Sequence, residues 1–200
     1  MKKLVLLAVL ALALPTAVFA GSSIDYTNSG GTLSGSNSGL SLGGSVLIAV
    51  NGNAGLITGS DLGSLSFETG TLTSGSVQQG GTFAAGGWFT ITGNGSNGVP
   101  NGTLFSGTFT GPVSWTMMTL ANGTHNYTLT GALSGTTASG YSTFGVTVQL
   151  TVNTGKGFFN GCTKISSGDT NVVVPEPGSL SLLGTGLIAM GGMIRRKLKA

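Results

Sequence analysis

Between Phe144 and Asn153 the chain alternates with period two. Phe144, Val146, Val148, Leu150 and Val152 are apolar, and Gly145, Thr147, Gln149, Thr151 and Asn153 separate them. Successive side chains of a strand point to opposite faces, so this pattern buries one face and wets the other. A helix would need apolar residues three and four apart, and residues 21–174 hold no sustained run of that kind. Tyr127, Leu129, Gly131 and Leu133 repeat the alternation against Asn126, Thr128, Thr130 and Ala132. Val113, Trp115 and Met117 do so against Ser114 and Thr116. Residues 65–69, 88–92 and 104–110 are further strand candidates, and 46–50 is a continuous apolar run, as in a strand buried on both faces.

The punctuation agrees. Asn-Gly occurs at 51, 94, 97, 101, 122 and 160, and this pair supplies the positive φ angles of tight turns. Residues 121–125 are placed to join the strands around Trp115 and Leu129 into a hairpin. Many short strands with turns between them predict an all-β fold, an antiparallel β-sandwich or barrel. Residues 45–162 are read as this β-rich domain. The Ser/Gly-rich stretch 21–44 reads as a flexible arm or an edge strand, and 163–174 as a spacer.

Both chain ends differ from this middle. Lys2 and Lys3 precede an apolar run from Leu4 to Leu14, Pro15 breaks it, and Val18-Phe19-Ala20 puts a small residue before Gly21. This is the pattern of a secretory signal peptide, residues 1–20, cut between Ala20 and Gly21; an uncleaved anchor is the alternative. At the other end Pro175 and Pro177 enforce an extended chain. Gly178 to Ile194 then carries no charge. As a helix those residues would be about 25 Å long, close to the ~30 Å hydrocarbon core of a bilayer. Arg195, Arg196, Lys197 and Lys199 follow, and such cations stay on the cytoplasmic side. The reading is a transmembrane helix over 178–194; a buried core helix is the alternative.

The combination Val174-Pro175-Glu176-Pro177-Gly178, a Gly/Leu-rich span and Arg195-Arg196-Lys197 resembles the PEP-CTERM sorting signal, over about residues 174–200. The resemblance implies a protein exported by Gram-negative bacteria, often alongside exopolysaccharide machinery. It implies Pro175, Glu176 and Pro177 as the recognition motif and Arg195, Arg196 and Lys197 as the stop-transfer cluster. It also implies processing by exosortase, a membrane-embedded transpeptidase, after export by Sec-type machinery. The expected location is an inner-membrane-anchored precursor, then the cell envelope, cell surface or exterior.

Charge distribution excludes one class of partner. The whole chain carries +3. Residues 21–174 hold Lys156 and Lys164 against Asp25, Asp61, Glu68 and Asp169, a net −2. The basic character belongs to the two ends, and the β-rich middle lacks the basic face that nucleic acid requires.

Catalytic motifs are weak. Gly93-Asn94-Gly95-Ser96-Asn97-Gly98 satisfies G-x-G-x-x-G, but Val99-Pro100 follows where a dinucleotide site needs a helix. Gly39-Leu40-Ser41-Leu42-Gly43 satisfies G-x-S-x-G, again with no helix behind the serine. His125 is the sole histidine and reads as a solvated loop residue, so no multi-histidine metal site can form. Cys162, the sole cysteine, can form no intrachain disulfide and reads as buried in preference to an exposed thiol. Asp61 and Glu68 are a conceivable carboxylate pair without a visible cleft. The expectation is therefore a non-enzymatic envelope or matrix protein without cofactor or metal. The alternative is a carbohydrate-binding domain for exopolysaccharide. Trp88, next to a loop-like stretch, is the candidate stacking residue; Trp115 and Tyr127 share apolar faces and read as core.

Overall fold

The structure, a computed structural model, describes residues 22–52 and 54–174. The signal segment with Ala20 and Gly21, and the tail with Pro175 to Lys197 and its apolar span, lie outside the described residues. No helix among the described residues is long and apolar enough to cross a membrane.

Thirteen strands follow one another: β1 Ser22–Ser29, β2 Thr32–Ser36, β3 Gly39–Gly52, β4 Gly55–Glu68, β5 Leu72–Ser76, β6 Gly80–Phe83, β7 Gly86–Asn94, β8 Asn101–Phe109, β9 Val113–Thr119, β10 His125–Thr137, β11 Ser142–Asn153, β12 Cys162–Lys164 and β13 Ser167–Val174. Hydrogen bonding runs β1-β3-β4-β7-β8-β10-β11-β13 and returns from β13 to β1. The result is an antiparallel barrel of eight strands. Of the two architectures open from sequence, the barrel is the one formed. An even strand number lets every neighbour run antiparallel, and closure removes the sheet edges that would otherwise template aggregation.

Two long strands carry two partners along one edge. β10 faces β9 through residues 125–130 and β8 through 133–137. β3 faces β2 through 39–43 and β1 through 46–51. The barrel therefore flares at one end into two flaps. One is β5, β6 and β9; the other is β2 with β12 on its far side.

The β9–β10 hairpin forms in the expected register, with Leu129 opposite Trp115 and Gly123 at φ +77° in the connecting turn. One β10 face packs Tyr127, Leu129 and Leu133 into the core. Trp115 and Tyr127 stack at 5.0 Å and 19°, with Phe159 edge-on to Trp115 at 5.5 Å. Both polar ends are satisfied: Trp115 Nε1 donates to the Val77 carbonyl at 2.9 Å, and Tyr127 Oη donates to the Gln78 carbonyl while accepting from the Phe159 amide. Deeper in the barrel Phe67 and Phe89 stack at 5.9 Å, and Phe109 meets Phe67 edge-on at 6.0 Å. Glycine makes room for these rings. A Cβ on Gly131 would lie 2.8 Å from two Phe109 ring carbons.

Four expectations are corrected. Phe144 is 75% exposed, because the β10–β11 register shifts between Leu133 and Ser134. Gly145 takes φ +77° at this irregularity, which flips the strand's parity and turns Thr143 inward in place of Phe144. Residues 46–50 are not buried on both faces: Leu47 is core, and Val46, Ile48, Ala49 and Val50 are half-buried. The stretch 21–44 supplies β1, an integral barrel strand, as well as the short flap strand β2. The segment 163–174, read as a spacer, contains β13, the strand that closes the barrel. In these last two segments tertiary pairing overrides a composition that favours loops. Ladder and core come entirely from Ser23–Val174, which forms one compact unit.

Gly131→Ala should destabilise the protein by about 1–3 kcal/mol through overpacking against Phe109. Gly43→Ala, with open space around its Cβ, should leave stability unchanged. Urea unfolding of both variants checks the contrast.

Candidate functional site

Trp88 lies at the start of β7, opposite Glu68 at the end of β4. It is 44% exposed, and its Nε1 donates to Glu68 Oε2 at 3.2 Å. The carboxylate fixes the indole edge, and a half-exposed indole held this way can stack on a flat apolar surface such as a sugar face. Trp115 and Tyr127 are core residues, as their shared faces predicted.

The other singled-out residues do not assemble around Trp88. Asp61 accepts from the Gly63 amide at 3.2 Å and from Asn94 Nδ2 at 3.1 Å. It lies seven residues before Glu68 on β4, about 20 Å away along a strand, so the two carboxylates form no pair. Ser41 sits within β3 between Ser34 and Glu68, with no elbow behind it. The Gly93–Gly98 segment is the end of β7 and the start of the β7–β8 connection, with a single 3-10 turn at Ser96–Gly98 held to β4 by Asn97 Nδ2 on the Thr58 carbonyl at 3.2 Å.

Two single residues are corrected. His125 is 8% exposed, not solvated. It opens β10, stacks on Phe158 at 4.5 Å and shares a 3.0 Å hydrogen bond between Nδ1 and Thr119 Oγ1. Cys162 is exposed, not buried. β12 is an outer flap strand, and Cys162 pairs with Ser34 on its outward face.

Sequence reasoning missed a second surface. A groove of about 550 Å³ crosses the outer face, with Asp25, Gln149, Asp169 and Asn171 among its walls. Asp25 and Asp169 lie 144 positions apart in sequence, and only the β13–β1 closure brings them together, so no local pattern could announce them. Burial, and after it the neighbouring Asp169 charge, hold the Asp25 carboxyl above the usual carboxylate range. Among the described residues no group of three His, Cys, Asp or Glu side chains is placed to hold a metal.

The raised Asp25 pKa has a definite sign. The folded state holds its proton to higher pH than the unfolded chain, so this group's contribution to stability is full below about pH 3.8 and is lost as pH rises through the folded value. Asp25→Asn should raise Tm by about 1–2 °C at pH 7, with no gain at pH 3. Thermal melts at the two pH values check it.

Comparison with known proteins yields one match. No curated protein and no solved structure is similar to the chain. The matched segment starts inside β13 and ends in the basic cluster: residues 173–197 fit the family model of the PEP-CTERM protein-sorting motif, a match that supports export and exosortase-type sorting.

Proposed function

We propose that this protein is a non-enzymatic β-barrel delivered to the cell envelope or extracellular matrix through its C-terminal sorting tail. The observation that carries the reading is the position of the motif. It begins at Val173, within β13, so the last barrel strand runs into the signal with no linker between them. Pro175 cannot donate to a ladder, so the strand must stop where the signal starts. The processing enzyme would thus meet Pro175, Glu176 and Pro177 at the rim of a folded barrel, with the 178–194 span held in the inner membrane. Export by Sec-type machinery, with cleavage after Ala20, precedes this step. The barrel's outer face suits a hydrated polysaccharide surrounding: Thr130, Thr147 and Gln149 point outward on β10 and β11 and carry no charge.

Intact mass of the protein recovered from cells and medium tests the reading. Wild-type protein should begin at Gly21 and lack its C-terminal tail. Pro175→Ala should retain the tail and accumulate with membranes. An intact tail on both proteins would reject sorting by this route.

Exopolysaccharide binding is the second reading, and the exposed, carboxylate-anchored indole of Trp88 favours it. Trp88→Ala should lower retention on immobilised exopolysaccharide several-fold, in line with about 1 kcal/mol for one stacking contact. Met118→Ala, which trims another exposed apolar residue, should not. Equal retention of all three proteins would remove this reading.

A further inference from the structure

The two ends of the barrel are filled differently. At the flared end Trp115, Tyr127 and Phe159 occupy the interior. At the other end, where β3 turns into β4, β7 into β8 and β10 into β11, a cavity of about 380 Å³ opens. Ile24, Tyr26, Val50, Ile57, Val99 and Leu104 form its apolar wall. The ladder brings them to one level: Tyr26 lies opposite Val50, and Val50 opposite Ile57.

Tyr26 brings a polar atom into this wall. The residue is 4% exposed and lines the cavity. Burial pushes its pKa up to about 12, so it stays a neutral donor at physiological pH. A neutral hydroxyl on an otherwise apolar wall can donate to a ligand oxygen placed in the cavity. The cavity has more than twice the ~150 Å³ that admits benzene, and eight-stranded barrels can hold one small ligand in this position.

The rim points to the kind of ligand. Leu56, Tyr141, Phe144 and Val173 are exposed on the strand ends around the opening. β13 ends at the same rim, and the sorting tail follows it. Three residues separate Val174 from Gly178, so the apolar span begins within about 14 Å of the barrel. A barrel tethered by that tail has lipid within reach of this rim, a step that rests on the sorting reading above. We propose that the mouth cavity binds a single acyl chain, whose carbonyl oxygen accepts a hydrogen bond from Tyr26 Oη.

Residues 21–174, which contain the whole ladder and core, can be titrated free of detergent with N-phenyl-1-naphthylamine. Decanoic acid and dihexanoylphosphatidylcholine then serve as competitors. One saturable site is expected. Val50→Trp should lower probe affinity about tenfold or more, roughly 1.4 kcal/mol, with its circular-dichroism melt retained; Ile24→Trp at the rim serves if that variant does not fold. Tyr26→Phe should weaken decanoic acid about two- to tenfold and leave the probe, which has no carbonyl, unaffected. Displacement by decanoic acid alone assigns the chain to a free fatty acid, and displacement by both assigns it to a membrane lipid. No saturable site, or equal binding by the tryptophan variants, would overturn the proposal. The titration does not involve the tail, so it fails independently of the sorting experiment.

Discussion

Everything in this molecule depends on the pairing of its last strand with its first. β13 lies between β11 and β1, and without it the remaining barrel strands would be an open sheet with two long edges. The seam is specific as well as closed. Asn28 on β1 is buried and donates to Ser45 Oγ on β3 at 2.7 Å, and Ser45 donates to the Ser29 carbonyl at 3.3 Å. Gly168 on β13 lies against Asn28: a Cβ there would come within 2.6 Å of the Asn28 side-chain oxygen. A polar pair in the wall, satisfied across strands, fixes register where apolar packing alone would tolerate slippage.

That closure explains features that look unrelated in the sequence. It partly buries Asp25 and sets it beside Asp169, and burial first, then that charge, raises the Asp25 pKa. It brings the first described residues and the last to one rim, the hollow end of the barrel. The opposite end is closed by Trp115, Tyr127 and Phe159, and Trp88 stands on that side at the start of β7.

The strands that were legible are those with clean alternation. Tyr127 to Leu133 and Val146 to Val152 name their own buried faces, and Asn122-Gly123 names the turn between Trp115 and Leu129. What was not legible falls into two kinds. Phe144 was misassigned because one irregularity at Gly145 reverses parity, and nothing in a period-two pattern marks where it breaks. β1 reads locally as part of a flexible arm or an edge strand, and β13 as a spacer, because their stability is not local: residues such as Gly168 and Thr170 become strand only against partners far away in sequence. Glycine richness, which suggests disorder when counted, turns out at Gly131 and Gly168 to be space reserved for Phe109 and Asn28. The sorting tail was readable because it works as a linear signal, whereas Asp25, Asp169 and Tyr26 acquire their surroundings only in the closed barrel.

Native-state amide hydrogen exchange on residues 21–174 tests the central claim most directly. If β13 closes the barrel, the amides of Gly168, Thr170 and Val172 should exchange through the same global opening as those of Leu129 and Leu150, with comparable free energies. Exchange from 167–174 orders of magnitude faster than from β10 and β11 would contradict closure. It would return that segment to the role of a spacer.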